Sequence, residues 1–378
     1  MTEAAAAGSF WLSGEREPRR PPLDADTSAD VAVIGGGVTG MATALALAEG
    51  GASVVVLEGR GLAEGASGRN AGFVLAGVAE NFTAACRRYG DQRAWHAWQV
   101  THRNRVLLRG AVERHGIECD LRWAGSLQLA GDDVEWDEIR RGAEDLRSRG
   151  VAVTLDETLR DACYADDGEV DPVRLVRGLA RAAESAGGVI HEDSEVLSVD
   201  RQVARTARGA VRAQAIVVCA NAYASRLLAI RIRPVRGQML ATEPAGRRPF
   251  DRPTYAHRGY RYWRQTPDGN VLVGGWRDLA ADTEVGLAED TTPPIQAALE
   301  SFLVEQGIDA PVTHRWAGIM GFSHDGLPYV GRDRSGAFVA AGFTGHGMGF
   351  AFAAADIVAA LAAGRSHPDG EAFDPDRP

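Results

Sequence analysis

Three glycines and one glutamate give the clearest chemical signal in the sequence. Gly35, Gly37 and Gly40 fit the pattern G-x-G-x-x-G between an apolar run and a helix-like segment. Glycines in this pattern permit a tight turn, the close approach of a pyrophosphate and close packing of helix on strand. The helix offers free N–H groups to the phosphates, and Glu58, eighteen residues after Gly40, can accept hydrogen bonds from ribose hydroxyls. The spacing predicts dinucleotide binding, with a merely structural glycine turn as the alternative.

Two further glycine-rich segments bear on which dinucleotide is bound. Residues 65–72 read GASGRNAG shortly after Glu58, and residues 342–349 read GFTGHGMG just before an alanine-rich helix. The amino end of that helix can face the electron-rich edge of a ring. Both segments suit a long flavin cofactor whose ring lies far from its adenine, and neither is expected of an NAD(P) reductase. The sequence therefore favours FAD.

The charged residues exclude several other functions. The chain of 378 residues has 51 acidic and 41 basic side chains, and the net charge of −10 argues against a nucleic acid or an anionic membrane as a partner. Every basic residue other than histidine is arginine. Neither a Schiff-base lysine nor a P-loop lysine is therefore available.

The cysteines give no sign of a metal centre or of a disulfide framework. The chain has four of them, and they lie far apart without a C-x-x-C spacing. Scattered thiols of this kind are typical of intracellular proteins. We see no signal peptide at the amino-terminal end and no apolar stretch as long as a membrane span, so a cytoplasmic location is expected. The cysteines are Cys86, Cys119, Cys163 and Cys219.

The hydrophobic pattern places the motifs on alternating strands and helices. A βαβ unit is predicted around the first glycine motif, and residues 13–28 are expected to form an irregular lead-in. Further strands are expected at residues 189–200 and 213–224. Other predicted elements are an amphipathic helix at 91–115 with a solvated arginine-rich face, a helix at 171–187, a hairpin at 260–276 with its turn at 267–269, and a strand, glycine-rich turn and helix at 338–364.

Four segments resemble the FAD-dependent oxidoreductases of the D-amino-acid oxidase superfamily, such as glycine oxidase, sarcosine oxidase and gamma-glutamylputrescine oxidase. The SGRN sequence is most similar to the gamma-glutamylputrescine oxidase branch. The segments are ADVAVIGGGVTG (29–40), GASGRNAGF (65–73), WAGIMGFSHDGLPYVG (316–331) and GFTGHGMGFAFA (342–353).

The resemblance implies an α/β (α+β) fold with a Rossmann-type FAD-binding domain and an interleaved substrate domain built on an antiparallel sheet. Residues 1–28 would be a lead-in to these domains. The FAD-binding domain would comprise residues 29–80, 165–228 and 315–378, and the substrate domain residues 81–164 and 229–314.

The resemblance also implies which residues bind FAD. Gly35, Gly37 and Gly40 would meet the pyrophosphate, and Glu58 the adenosine ribose. The other implied residues are Ser67, Arg69, Asn70 and Ala71 along the pyrophosphate and ring, Val196, Ala220 and Asn221 near the adenine, and Gly318, Gly345, His346, Gly347 and Met348 around the ring.

The chain departs from these relatives at three places. Sarcosine oxidase attaches its flavin to a cysteine before the last glycine motif, but no cysteine here follows Cys219, so noncovalent FAD is expected. Sarcosine oxidase also uses a lysine to activate oxygen, and this chain has none. Glycine oxidase places a carboxylate-binding arginine just after an Ala-Gly pair, where this chain has Ile319 and Met320.

The predicted hairpin offers a substitute for that arginine. Alternation along a strand puts Tyr260, Tyr262 and Arg264 on one face, and we expect Tyr262 and Arg264 to bind a substrate carboxylate. Arg69 and Arg277 are the next candidates. Met320 is expected to form an apolar wall, and His346 to contact the flavin or substrate; the structural alternatives are core aromatic residues and a histidine that shapes the turn.

These features predict an FAD-dependent amine or amino-acid oxidase. It would transfer a hydride from the α C–H of a primary or secondary amine to flavin N5, and water would hydrolyse the resulting imine. Electrons would pass to oxygen or to another acceptor. The alternatives are a flavin-dependent amine dehydrogenase with a different acceptor and a catalytically silent flavin-binding protein.

Overall fold

Two large β-sheets, each built from strands that lie far apart in the sequence, organise the chain. The computed structural model describes residues 6–14 and 17–377. One sheet has eight strands and the other has nine. A ribbon of two strands, β4 (Phe73–Val74) and β8 (Gly168–Glu169), forms a third, small sheet.

The eight-stranded sheet carries the first glycine motif. Its strands are β2 (Thr27–Ile34), β3 (Val54–Leu57), β9 (Val189–His191), β10 (Ser198–Asp200), β11 (Val203–Arg205), β12 (Ala210–Val218), β18 (Tyr329–Arg332) and β19 (Phe338–Ala341). β19, β12, β2, β3 and β9 are parallel neighbours. The last four residues of β2 and all of β3 are buried, as expected for strands covered on both faces.

The register of this sheet brings three strand ends together. Ile34 at the end of β2 pairs with Val218 at the end of β12 and with Leu57 at the end of β3. In open α/β sheets, ligands bind beyond the carboxyl ends of the strands. The glycine motif and Glu58 both follow directly at this edge.

The nine-stranded sheet is mostly antiparallel. Its strands are β1 (Ala6–Ala7), β5 (Ser126–Leu129), β6 (Val153–Asp156), β7 (Asp161–Tyr164), β13 (Ile232–Pro244), β14 (Thr254–Ala256), β15 (Arg261–Gln265), β16 (Asn270–Gly275) and β17 (Val312–Ser323). They lie in the order β1-β17-β13-β16-β15-β14-β5-β7-β6. Among the described strand pairs of this sheet, only β1–β17 and β5–β14 are parallel.

The helices pack on these sheets through small and branched side chains. Alanine-rich α1 lies against α5 and α7, and α3 lies against α7. On the nine-stranded sheet, Trp263 of β15 packs on Phe302 of α6, with ring centroids 4.6 Å apart. The helices are α1 (Val38–Glu49), α2 (Phe82–Tyr89), α3 (Asp91–His115), α4 (Asp133–Ser148), α5 (Pro172–Ser185), α6 (Pro293–Glu305) and α7 (Gly347–Ala362).

The predicted fold class is confirmed, and so are the most strongly patterned elements. α3 covers the predicted residues 91–115, and α5 begins with the predicted proline. β15 and β16 form the predicted antiparallel hairpin around residues 266–269. β19, the glycine-rich turn and α7 follow one another as expected.

Other elements differ from the predictions. The single strand predicted at 189–200 is two strands, β9 and β10, which lie at opposite ends of their sheet. The strand predicted at 213–224 ends at Val218, and a 3₁₀ helix follows at Asn221–Arg226. Residues 315–323 were assigned to the FAD-binding domain, but β17 pairs with β13 along most of its length and so belongs to the nine-stranded sheet.

The arginine-rich face of α3 is not simply solvated. Arg105 is buried and forms an ion pair with buried Asp167, with an N–O distance of 2.5 Å. Arg103 pairs with Asp369 near the carboxyl end of the chain. None of the helices in the described part of the chain has the length and apolarity to cross a membrane.

Candidate functional site

A long cavity begins at the carboxyl ends of β2, β3 and β12. Its first compartment encloses about 1220 Å³ of empty space. Backbone and short side chains form most of its wall. The predicted residues that line it are Gly35, Gly37, Glu58, Ser67, Val196, Ala220 and Asn221.

The turn from β2 into α1 leaves no room for side chains. Gly35 has a φ of +115°, and a Cβ there would lie 2.7 Å from the carbonyl oxygen of Cys219. A Cβ at Gly40 would overlap the carbonyl oxygen of Gly35, so Gly40 sets the packing of α1 on the turn and does not itself line the cavity. Gly37 precedes α1 and provides no side-chain cap. The N–H of Val38 donates to the hydroxyl oxygen of Ser67 at 3.0 Å. The other N–H groups of the first turn can bind an anion.

Glu58 is built into the same turn. It accepts hydrogen bonds from the N–H groups of Gly36 at 2.5 Å and Arg60 at 2.8 Å. Burial raises the pKa of its carboxyl group, and the two hydrogen bonds oppose that rise. Because a carboxylate has several lone pairs, Glu58 can also accept hydrogen bonds from hydroxyl groups of a ligand in the first compartment.

A second compartment of about 1110 Å³ continues from the first. Gly37, Ser67, Asn221 and Ile319 are among the residues that line both. The two compartments therefore form one elongated space. The other predicted residues on the wall of the second compartment are Arg69, Asn70, Ala71, Tyr262, Gly318, Met320, Gly345, His346, Gly347 and Met348.

Arg69 lines the second compartment, but its charge is already paired. Its Nε donates to the carbonyl oxygen of Glu64 at 3.0 Å, and an NH group donates to that of Ala317 at 3.1 Å. The guanidinium also forms an ion pair with Glu289 at 3.0 Å. Arg69 thus ties residues 65–72 to β17 and has little capacity left for a substrate carboxylate.

The amino end of α7 forms the far wall of the second compartment. His346 precedes the helix and supplies no side-chain cap. Its Nδ1 is buried and has no hydrogen-bond partner among the described residues. Burial lowers the pKa of His346 to about 4, so the imidazole is neutral at pH 7. His346 therefore adds no positive charge to this wall.

Cys219 is the only cysteine of the described chain that lines either compartment. It is buried beside the glycine turn, and burial raises the pKa of its thiol to about 12. A protonated thiol at this position is not a nucleophile. Noncovalent binding of the cofactor stays a prediction, and this environment supports it.

The features of the two compartments fit an elongated cofactor with phosphates at one end and a heteroaromatic ring at the other. The glycine turn forms a cradle that any Cβ would fill, at a helix end where Gly37 supplies no side-chain cap and Ser67 accepts only from Val38 among the described residues. The second helix end, at α7, lies beside an unpartnered buried ring nitrogen. These groups can hold a pyrophosphate and the polar edge of a flavin.

A third space, the outer cavity, opens from the second compartment. It encloses about 1670 Å³, and Gly237, Tyr255, Tyr262, Met320 and His346 are among the residues that line both spaces. The rings of Tyr255 and Tyr262 stack with centroids 5.8 Å apart, and His346 meets Tyr255 edge-on at 5.7 Å. Aromatic rings therefore line this junction.

The junction also presents polar groups. The hydroxyl groups of Tyr255 and Tyr262 have no hydrogen-bond partner within residues 6–14 and 17–377. Burial raises the pKa of both phenols, that of Tyr262 to about 12. Both hydroxyls are therefore protonated at pH 7 and can donate a hydrogen bond to a ligand.

Arg264 does not lie in the outer cavity, so the predicted carboxylate clamp of Tyr262 and Arg264 is wrong. Arg264 is 1% exposed, and its Nε forms an ion pair with fully buried Glu169 at 3.0 Å. It also donates hydrogen bonds to the carbonyl oxygens of Ala71 at 3.2 Å and Val170 at 2.9 Å. Arg264 and Tyr262 lie on the same face of β15. The segment that follows residue 69 covers this face at Arg264, whereas the side chain of Tyr262 reaches the cavity.

Arg277, the fallback candidate, lies in the outer cavity. Its Cζ is 4.9 Å from the ring centroid of Tyr260 and 5.3 Å from that of Phe322. No carboxylate pairs with it in the described part of the chain, and it makes no hydrogen bond there. A positive charge held by two rings and left without a counterion is suited to bind an anionic group.

Sequence reasoning missed two residues of the junction. Tyr255 lies on β14, a strand of only three residues, and stands opposite Tyr262 in the register. Phe73 packs on both tyrosines, at 6.0 and 6.3 Å. Tyr255 lies in no recognisable pattern, and the pairing of β14 with β15 is what brings it to the site. Phe73 is the last residue of the GASGRNAGF segment and reaches the junction from β4.

Comparison with known proteins decides the family. Residues 30–361 match the model of the DAO family, described as "FAD dependent oxidoreductase". The chain belongs to this family. The predicted cofactor, FAD, and the predicted oxidoreductase activity are thereby confirmed, together with the resemblance drawn from the four segments.

Named relatives and solved structures agree with this assignment. The gamma-glutamylputrescine oxidoreductase of Escherichia coli (strain K12) is 28% identical over 93% of this chain and 87% of its own length. The glycine oxidase of Geobacillus kaustophilus (strain HTA426) is 28% identical over 84% of this chain and 89% of its own length. The crystal structure of glycine oxidase from Geobacillus kaustophilus superposes with a TM-score of 0.79 at 26% identity, over 93% of this chain and 99% of the other.

Proposed function

We propose that this FAD-dependent oxidoreductase oxidises a primary or secondary amine that also carries a carboxylate. The observation that carries the proposal is the position of Arg277, an unpaired guanidinium in the wall of a cavity that joins the second compartment at Tyr255, Tyr262 and His346. An acidic end at Arg277 would direct the rest of the substrate toward the flavin. The names of the two relatives, glycine oxidase and gamma-glutamylputrescine oxidoreductase, support an amine or amino acid as the reacting group.

The amine would lie at the aromatic junction. FAD, when bound, supplies a hydride acceptor for the C–H bond next to the amine nitrogen. The chain contributes position and exclusion of water: the rings of Phe73, Tyr255 and Tyr262 enclose the junction, and the sulfur of Met320 borders it. This environment, from which water is excluded, disfavours the charged ammonium form of the substrate and so favours the neutral amine that oxidation requires.

The carboxylate would lie between Arg277 and the tyrosines. A guanidinium binds a carboxylate with two parallel hydrogen bonds, and a protonated hydroxyl from Tyr262 can add a third. Arg277 follows the end of β16 by two residues, so the hairpin that carries Tyr262 also positions the guanidinium. The hairpin thus keeps the substrate-binding role predicted from the sequence, with Arg277 in place of Arg264.

A panel of amines under anaerobic conditions tests the proposal. Loss of the oxidised flavin absorbance after mixing with N-substituted glycines, D- and L-amino acids or longer amino acids would identify the reacting class. Each carboxylated amine is paired with its primary amide, which removes the charge and keeps the shape. We expect the acid to reduce the flavin at much lower concentration than its amide.

Two results would contradict the proposal. If no amine reduces the flavin, the protein is not an amine oxidase or dehydrogenase. If amines reduce it but acids and amides react equally well, the amine chemistry stands and the carboxylate site does not. Reoxidation of the reduced protein by air or only by an added dye would then separate an oxidase from a dehydrogenase.

A further inference from the structure

We propose that Trp11 and Arg264 are positioning residues that hold segment 68–72 in the shape that FAD binding requires. Segment 68–72 is the second half of GASGRNAG, and its three central residues, Arg69, Asn70 and Ala71, line the second compartment. Trp11 comes from the amino-terminal region, and Arg264 comes from the nine-stranded sheet. Neither residue lines either compartment.

Every carbonyl oxygen of segment 68–72 is bound by a donor from elsewhere in the chain. Four of the five donors are side chains, and their residues lie far away in the sequence. The pairs are Gly68 with the hydroxyl of Ser9 at 2.5 Å, Arg69 with Nε1 of Trp316 at 3.0 Å, Asn70 with Nε1 of Trp11 at 2.8 Å, Ala71 with Arg264 at 3.2 Å, and Gly72 with the N–H of Val170 at 2.8 Å.

With its carbonyl groups bound from outside, the segment leaves two of its amide N–H groups free to face the second compartment. Those of Asn70 and Ala71 have no acceptor within the described chain, although both residues line the second compartment. The Asn70 side chain holds the segment internally, through the carbonyl oxygens of Ala66 and Ser67 and the N–H of Gly72. None of these bonds reaches a carbonyl group of residues 68–72, and buried carbonyl groups need a partner. The donors from elsewhere in the chain bind these five carbonyl groups. The N–H groups of Asn70 and Ala71 therefore stay available to the cofactor.

Trp11 and Arg264 act together at this segment. The Cζ of Arg264 lies 5.4 Å from the centroid of the Trp11 ring, and the two residues donate to the neighbouring carbonyls of Ala71 and Asn70. Glu169 pairs with Arg264 from the other side. Removal of Arg264 would leave buried Glu169 with Arg122 as its remaining partner and would take away one charge of a buried ion-pair network. Such a loss destabilises the fold, so Trp11 offers the cleaner test.

The test is a titration of the apoprotein with FAD. Trp11→Phe keeps a ring against Arg264 and removes the N–H that binds Asn70, together with part of the bicyclic ring, a loss of size that the control below shares. We expect the Kd for FAD to rise roughly three- to tenfold, the loss expected from one buried hydrogen bond. The matched control is Trp123→Phe, because Trp123 makes no hydrogen bond through its indole N–H within the described residues and its ring packs on Arg109, 4.5 Å from the guanidinium carbon.

A structural role alone would not produce this pattern. Hydrogen exchange of the apoprotein, measured on peptides that cover residues 66–74, should be faster in Trp11→Phe than in the wild type and unchanged in Trp123→Phe. A Kd for FAD that rises at least threefold over the control supports the proposal, whatever the melting temperature does. An unchanged Kd, even with a lower melting temperature, would overturn it.

Discussion

The wall of the first and second compartments and the wall of the outer cavity differ in composition, although the two spaces share the residues of the aromatic junction. The turn at residues 35–40, segment 65–72 and the amino end of α7 line the first and second compartments and are rich in glycine and alanine, so that the backbone itself forms the wall at many positions. The outer cavity is lined largely by long polar and aromatic side chains, among them Arg277, Tyr260 and Phe322. Backbone groups are the same for every residue, whereas a side-chain wall changes with each substitution.

This difference suggests separate effects of substitutions on FAD binding and on substrate binding. A change in the backbone wall alters the path of the chain and should cost FAD. A change in the side-chain wall should alter substrate binding and leave FAD in place. Arg264 is an exception to this division, because it lies on β15 of the nine-stranded sheet and yet donates to the carbonyl oxygen of Ala71 in the wall of the second compartment.

The largest effect is expected at Gly37. Gly37→Val should abolish FAD binding, because a Cβ there lies 2.8 Å from the hydroxyl oxygen of Ser67, and larger atoms would fill the space shared by both compartments. The purified variant should be folded and colourless. Gly110→Val is the control, since a Cβ there meets only the far end of Arg114 at 3.9 Å. A yellow Gly37→Val with normal flavin content would show that the turn is structural only.

Acid should release the whole of the cofactor. The thiol of Cys219 is protonated and lies beside the glycine turn, and no other cysteine of the described chain lines the compartments. After precipitation with acid, all of the FAD should appear in the supernatant. Flavin absorbance that stays with the washed pellet would contradict noncovalent binding.

A pair of arginine variants compares the two walls directly. Arg277→Ala should raise the apparent KM for a carboxylated amine about 10- to 100-fold, in line with the roughly 1.5–3 kcal/mol of a hydrogen bond to a charged group, and should keep its FAD. Arg264→Ala should lose FAD affinity or fold poorly. Flavin content and steady-state kinetics of both variants measure this contrast. The reverse result, with FAD lost at Arg277 and KM raised at Arg264, would restore the clamp predicted from the sequence.

The smallest effect concerns the pH dependence of the apoprotein. Burial lowers the pKa of His346 to about 4, below the value near 6.5 of an unfolded chain. The unfolded state therefore binds this proton first, and the free energy of unfolding should fall as the pH decreases from about 6.5 toward 4. His346→Gln should remove that part of the decrease, as measured by urea unfolding at pH 7 and pH 5. Equal decreases in both proteins would contradict the lowered pKa.

Much of the FAD site was predictable because its signals are local. Gly35 requires a positive φ, Gly40 excludes a Cβ, and Glu58 follows the next buried strand, so one continuous stretch of sequence specifies their arrangement. The outer cavity has no such signal. Tyr255 and Arg277 reach it only because β14 pairs with β15 and because Tyr260 and Phe322 hold the guanidinium.

The sequence by itself determined the βαβ unit, the cofactor and the hairpin, because glycine spacing and the two-residue period of a strand are properties of neighbouring residues. The tertiary structure decided what covers each position of that hairpin. Tyr262 and Arg264 were expected to act together, yet Tyr262 faces the cavity while Arg264 lies beneath Ala71 and beside Trp11. Strand alternation fixes the side on which a residue lies, but only the packing of distant segments fixes its neighbours.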